Sequence, residues 1–158
     1  MKKPNKTNAM RILDSLNIEY EYFEYSTDDG KIDGISVADK VGEKREIVFK
    51  TLVTAGSDKE LYVFVIPVEF ELDLKKAAKA SSQKSIHMLP LKELTKHTGY
   101  VHGGCSPIGM KKSFKTYIDE TAKLNEKIIV SAGQVGFQIK LSPEALAECV
   151  NAEFVDLI

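Results

Sequence analysis

The sequence predicts an α+β fold, and three observations predict it. Helical periodicity borders a middle region rich in short β-branched and aromatic runs. Two of those runs, Ile47 to Val53 and Leu61 to Ile66, are separated by only a short polar segment, which marks an antiparallel hairpin. Strands and helices nowhere alternate regularly, as a doubly wound parallel sheet requires. The chain is expected to form one domain, residues 1–158, long enough to bury a real core.

Each element has its own signal. From Thr7, the residues Ala9, Ile12, Leu13 and Leu16 fall at i, i+3, i+4 and i+7, one stripe of an amphipathic helix, with Thr7 as its N-cap. Tyr20 to Tyr25 is an aromatic, strand-like run. Asp28-Asp29-Gly30 and Gly34 mark a loop, and Ser36 with Asp39 reads as the opening box of a short helix ended by Gly42. Gly56-Ser57-Asp58 turns the hairpin. Asp73 caps a helix through Ala80, and Ser85 to Leu89 is a short strand. Pro90 opens another helix at its favoured first position and Gly99 closes it. Phe114 to Ile118, Lys127 to Ser131 and Phe137 to Leu141 read as strands, the last two joined at Gly133-Gln134-Val135-Gly136. Ser142-Pro143-Glu144 starts a helix with Leu146 and Val150 on one face, and Ala152 to Ile158 reads as a last strand.

Composition narrows the function classes. The apolar and charged fractions, 43% and 28%, are those of an ordinary soluble domain. Charge is unevenly spread. Between Lys75 and Lys115 nine lysines face the single acid Glu93, a block of +8 in a chain whose net charge is −1. Such a block is either a solvated lysine-rich surface or one basic face for a polyanion. The near-neutral whole argues against tight, unaided binding of nucleic acid, and no DNA partner is expected. Two cysteines, Cys105 and Cys149, fit a reducing cytosol, and a cytoplasmic location is expected. Met1-Lys2-Lys3 is basic, but no apolar stretch follows it, so no signal peptide is expected. The longest apolar run, Leu61 to Val68, is too short to span a bilayer.

Two places invite chemistry. Gly99 to Lys112 is a glycine-rich loop stiffened by Pro107, whose main-chain N–H groups can converge on an anion or a polarised carbonyl. Lys50 shares one face of an apolar strand with Val48 and Leu52, so its ammonium must either snorkel to water or enter a polar pocket. His102 and Cys105 suggest a Cys/His hydrolase, but three-residue spacing in a flexible-angle loop does not establish a nucleophile–base pair. A lone His-x-x-Cys lacks the second pair a zinc site needs, so no metal is expected, and no nucleotide fingerprint or other cofactor motif is present.

Four segments occur together in order: Phe49-Lys50-Thr51-Leu52, Leu72-Asp73-Leu74-Lys75-Lys76-Ala77, Gly99-Tyr100-Val101-His102-Gly103-Gly104-Cys105-Ser106-Pro107-Ile108-Gly109, and Ser131-Ala132-Gly133. In register they closely resemble the YbaK/EbsC family, freestanding relatives of the editing domain of bacterial prolyl-tRNA synthetases. The Leu-Asp-Leu-Lys-Lys segment resembles the cysteinyl-tRNA deacylase branch. The resemblance implies a mixed β-sheet curled into a partial barrel with surrounding helices. It implies removal of cysteine from Cys-tRNA(Pro), with the 3′ acceptor end of aminoacyl-tRNA as substrate and prolyl-tRNA synthetase as partner. Lys50 matches the family's essential pocket lysine. Thr51 and Gly103 match its substrate-contacting threonine and loop glycine, Tyr25 the aromatic residue after the first strand, and Ser131 a pocket serine. Where some members carry aspartate this chain has Gln138, which can hydrogen-bond substrate but cannot serve as a base. In the family the substrate's own thiol is thought to attack its ester carbonyl, with the carbonyl oxygen assigned to amides near Gly103 and Gly104. A non-catalytic aminoacyl-tRNA or synthetase-binding or regulatory module is the alternative that Gln138 keeps open.

Overall fold

A polar turn and two apolar runs generate the centre of the structure, a computed structural model that describes residues 6–158. The basic Met1-Lys2-Lys3 start lies outside the described residues. At the turn, Gly56 N–H donates to Glu60 C=O at 2.9 Å, closing β2 (Phe49–Gly56) onto β3 (Leu61–Pro67). The two pair antiparallel from Phe49↔Pro67 to Ala55↔Leu61, as the hairpin reading expects. Val63 to Ile66 of β3 are fully buried, so β3, rather than β2, is the central strand.

The remaining strands divide into two ladders. β3 pairs in parallel with β5 (Lys115–Asp119), and β5 in parallel with β8 (Glu153–Val155). The short β4 (Ile86–Met88) covers only Thr54 to Gly56 of β2, giving the order β4-β2-β3-β5-β8. A second sheet orders β1 (Glu21–Glu24), β7 (Phe137–Leu141) and β6 (Ile128–Ser131) as β1-β7-β6, antiparallel throughout. One parallel bridge, Val48↔Ile129, joins the two sheets. The sheets are thus mixed, with helices around them, but they do not close into a barrel. The α+β class and the mixed pairing are as expected, with the strands falling into two sheets that meet at one bridge.

The helices follow their caps. Thr7 accepts from Met10 N–H at the start of α1 (Asn8–Ser15), which buries Ala9, Met10 and Leu13. α2 (Gly34–Val41) is opened by Asp33, whose carboxylate accepts from Ser36 N–H and Oγ. The Ser36/Asp39 box is therefore displaced by three residues. An aspartate carboxylate can accept from both the N3 amide and a nearby hydroxyl, which one serine hydroxyl cannot match. Asp73 caps α3 (Leu74–Ser81), Pro90 precedes α4 (Leu91–Thr98) at the N-cap, and Ser142 caps α5 (Pro143–Val150). The largest core cluster packs α1 and α5 against β3, β5, β6 and β7. A 3-10 turn at Glu120–Leu124, absent from the sequence reading, follows β5.

That turn depends on Asp119, which is completely buried. Its carboxylate accepts from Thr121 N–H at 3.2 Å and from Leu157 N–H at 2.8 Å, tying the last residues to β5. Asp119→Ala leaves these two amides, and the Thr121 hydroxyl that also donates to the carboxylate, without their acceptor, and is expected to cost about 1–3 kcal/mol of stability. A lowered urea midpoint with an unchanged slope will show it; an unchanged midpoint will show that water replaces the carboxylate.

Candidate active site

The site begins as a gap in hydrogen bonding. Val68 N–H donates to Val48 C=O at 2.9 Å, which sets the phase of the antiparallel ladder. The even-numbered residues of β2 thus exchange bonds with β3, and the odd-numbered ones turn their main-chain groups outward. Val53 C=O, facing outward, accepts from Leu89 N–H at 3.1 Å, and β4 covers the strand beyond it. On the other side the bridge at Val48 begins the second sheet. Between these two covers lies Thr51, whose N–H and C=O face an open edge.

A cavity of about 410 Å³ occupies that gap. It is walled by Val48 and β2 as far as Val53, by the start of α2, by the β4–α4 segment, and by the glycine loop. The volume is that of an ordinary small-molecule pocket. Lys50, Thr51, Gly103, Ser131 and Gln138 all line it. Ser131 and Gln138 are direct cross-strand partners on β6 and β7, so the second sheet delivers them as a pair. Lys50 is half-buried on the wall, and among the described residues no carboxylate pairs with it. Lys50 thus lines a largely apolar cavity that also presents Asp33, Thr51, His102, Ser131 and Gln138, which agrees with the pocket alternative.

Two orphaned hydroxyls stand out. Thr51 Oγ1 and Tyr25 Oη are buried and have no hydrogen-bond partner among the described residues. Thr54 Oγ1, by contrast, donates to Tyr62 C=O at 2.8 Å. A buried polar atom without a partner is costly in a folded chain, and its persistence beside a cavity suggests a ligand supplies the partner. Tyr25 does not line the cavity. Its ring lies 5.9 Å from Lys40 Nζ, which donates to Ser26 C=O, Lys31 C=O and the Asp29 carboxylate. Lys40 thereby holds the 26–31 loop that places Ile32 over the glycine loop.

The glycine loop is packed on both sides. Gly103 has φ of +86°, and a Cβ there would lie 2.6 Å from Ile32 Cδ1. Gly104 is buried, does not line the cavity, and would place a Cβ 2.8 Å from Val135 N. Its N–H already donates to Val101 C=O at 3.0 Å. The expectation that the Gly104 amide receives a substrate oxygen is corrected accordingly, because a turn hydrogen bond consumes that donor. Thr51 N–H, on the edge of β2 turned away from β3, is the lining amide directed toward the gap.

His102 and Cys105 both line the cavity, but no hydrogen bond joins them among the described residues. Burial pushes the Cys105 thiol up to about 12, so it stays protonated at neutral pH. A protonated, unpaired thiol is a poor nucleophile. Asp33 is the carboxylate on the wall that sequence reasoning missed. Hydrogen bonds from Ser36 hold it below the usual carboxylate range, so it carries charge. The signal was present as Asp-x-x-Ser before an apolar helix face. Met88 and Leu91 were also missed. No group of three metal-ligating side chains gathers among the described residues.

Comparisons with known proteins identify the family and the fold. A family model described as "Aminoacyl-tRNA editing domain" matches residues 34–149. A protein of Enterococcus faecalis known as "Putative Cys-tRNA(Pro)/Cys-tRNA(Cys) deacylase EbsC" is 47% identical over 156 residues, covering 99% of this chain and 95% of that one. Among solved structures, a crystal structure described as "a putative trans-editing enzyme for prolyl tRNA synthetase" superposes with a TM-score of 0.81 at 21% identity, covering 97% of this chain and 98% of the other. A hypothetical protein of known structure has a TM-score of 0.84 at 18% identity, covering 93% and 96%. At those identities the structural matches establish the fold alone.

The orphaned hydroxyl makes a measurable demand. Thr51→Val keeps the branched shape and removes an unsatisfied polar atom, so it is expected to raise stability by about 1 kcal/mol. A urea titration of both proteins checks this, and a loss of stability would show that Oγ1 has a partner in the free protein. Cys105 is expected to react with a thiol alkylator far more slowly than a free cysteine at pH 8, with the rate rising only at strongly alkaline pH. Rapid modification at pH 7 would contradict the burial of its sulfur.

Proposed function

Because this chain belongs to the aminoacyl-tRNA editing domain family, we propose that it is a deacylase that removes cysteine from Cys-tRNA(Pro) and Cys-tRNA(Cys). The substrate class rests on the near full-length similarity to the deacylase of Enterococcus faecalis. The mechanism rests on the arrangement of the cavity wall: Cys105 and His102 both line it without a hydrogen bond between them among the described residues, and burial pushes the Cys105 thiol up. The reacting sulfur is then the substrate's own. It attacks the ester carbonyl and closes a small thiolactone, and the ribose oxygen departs with the proton that the thiol gives up.

The cavity residues have work to do without being nucleophiles. Thr51 N–H and Oγ1 receive the carbonyl oxygen, whose charge grows as sulfur attacks. Lys50 orients the terminal ribose and supports the leaving oxygen. Asp33 supplies negative charge for the α-ammonium of the aminoacyl group, at the opposite end of the site's charge from Lys50. Gln138 and Ser131, side by side on the second sheet, hydrogen-bond the substrate and fix a reactive conformer. Gly103 permits the loop to approach closely, and Tyr25 supports the wall from behind. One editing unit spanning residues 1–158, prolyl-tRNA synthetase as partner in selecting the tRNA, and a cytoplasmic location complete the proposal.

Cysteine and proline are close in size, and one small group is worth only about 1–3 kcal/mol of discrimination in a binding site. A second site that tests for a thiol solves what a steric filter cannot. Gln138 favours one other reading, a module that binds aminoacyl-tRNA without cleaving it, since glutamine cannot serve as a base.

Purified protein incubated with cysteinyl-, seryl- and alanyl-tRNA bearing the proline acceptor separates these readings. Cysteine should be released at least about 100-fold faster than serine or alanine. Comparable rates for all three would mean that water is the nucleophile, and no release of any would favour the binding module. Lys50→Met should lower kcat/KM by about 100-fold or more while the melting temperature holds or rises. Turnover within a few-fold of the unaltered protein would leave Lys50 a bystander.

A further inference from the structure

A single carboxylate belongs to the cavity. Asp33 is the only acid among the lining residues, and it comes from the start of α2, whereas the lining cation Lys50 comes from β2. The neighbours of Asp33 in the chain hold it in place. Ile32 lies so close to the glycine loop that a Cβ at Gly103 would be 2.6 Å from Ile32 Cδ1. On the other side, a Cβ at Gly34 would be 2.4 Å from Val68 Cγ1. The carboxylate is oriented as well. It accepts from Ser36 Oγ at 2.7 Å and from Ser36 N–H at 3.1 Å, and these bonds favour its charged form. They use about half of the four acceptor sites of an ionised carboxylate. No lysine or arginine pairs with Asp33 among the described residues, so the remaining sites are open to a ligand.

We propose that Asp33 makes a free α-ammonium a condition for cleavage, so that the site acts on aminoacyl esters and spares N-acylated ones, peptidyl and formylated ends among them. The inference rests on the deacylase reading for the ester that is cleaved. The two permanent charges of the wall set the direction of the ligand, because an ammonium is repelled by Lys50 and attracted by Asp33. Acylation exchanges that cation for a neutral amide. One N–H remains, but the charge is gone, and the added carbonyl oxygen meets a carboxylate that can only accept. The lost charge-assisted bond and the new acceptor–acceptor repulsion act in the same sense. Because Asp33 is fixed through both of its neighbours, it cannot swing aside to relieve that repulsion.

Paired substrates at about pH 6.5, where an α-amine is mostly cationic, test the proposal. Cys-tRNA(Pro) and N-acetyl-Cys-tRNA(Pro) carry the same thiol and the same ester, and each rate is corrected for uncatalysed cleavage. The unaltered protein should release the free-amine ester with kcat/KM at least about tenfold higher. Asp33→Asn keeps an oxygen to cap α2 and removes the charge. It should lower kcat/KM for the free-amine ester about tenfold and bring the two esters within about twofold of each other. Equal release of both by the unaltered protein overturns the proposal and leaves the deacylase standing. A loss in Asp33→Asn shared equally by the two esters also overturns it, since that marks damage to α2 rather than a lost charge pair. If the unaltered protein releases neither ester, the deacylase reading falls, and binding decides the amine requirement. Calorimetry then compares 3′-cysteinylamino-3′-deoxyadenosine, an uncleavable amide, with its α-amine free and with it acetylated. A free form at least about tenfold tighter, with the advantage lost in Asp33→Asn, keeps the requirement. Equal affinity of the two forms, or binding of neither, overturns it.

Discussion

The structure depends on one incomplete ladder. β2 is bonded along its length to β3, but its other edge is covered only at its two ends, by the bridge to β6 and by the three residues of β4. An uncovered strand edge inside a folded chain is expensive, because each main-chain group there must find a partner in solvent or ligand. The fold tolerates this gap by lining it with a cavity that water or substrate can enter. Thr51 stands at the gap, and its hydroxyl has no partner among the described residues. The site is therefore a cavity beside a hydroxyl that the folded chain leaves unpartnered, and the proposal gives that donor to the substrate's carbonyl.

The second constraint is the way the glycine loop is held. Gly103 sits under Ile32 and Gly104 sits against the Val135 amide, each without room for a Cβ. The loop is thus pinned from two directions, by the segment before α2 on one side and the β6–β7 connection on the other. Lys40 in turn pins the first of these through three oxygen acceptors. The wall of the cavity is rigid because three separate segments interlock there, not because the loop is stiff by itself. Such interlocking holds a bound ester close to one conformer, which is where most of the rate of an intramolecular attack originates.

Local chemistry was legible in the sequence, and long-range pairing was not. Thr7, Asp73 and Ser142 cap helices because a side-chain oxygen next to three free amides has few alternatives, and Gly42 and Gly99 end helices at positive φ for an equally local reason. The hairpin was legible because its turn is short. The parallel pairings of β3 with β5 and β5 with β8 join residues far apart in the chain, and no periodicity records such a register. The division into two sheets was hidden for the same reason: it depends on how little of β2 the short β4 covers. At the site, Lys50 was legible as an ammonium on an apolar strand, a local contradiction that called for a cavity. The engagement of the Gly104 amide was not legible, since glycine content shows where a backbone can bend but not which of its donors a turn will use.

Charge and chemistry divide the labour of selection. A chain of net charge −1 has little long-range attraction for a polyanion, so whatever affinity the lysines of α4 and the loop supply is short-ranged and salt-sensitive. Weak contact suits an enzyme whose correct substrate is a rare error among many correctly charged molecules, because tight binding to the body of each tRNA would sequester the enzyme on the wrong ones. Discrimination must then come after contact, from the aminoacyl group itself. Under the proposed mechanism the cavity supplies no nucleophile of its own, and ester cleavage falls to the substrate that brings one. On that mechanism a glutamine at position 138 is compatible with activity, because a substrate that attacks its own ester needs no base at that position.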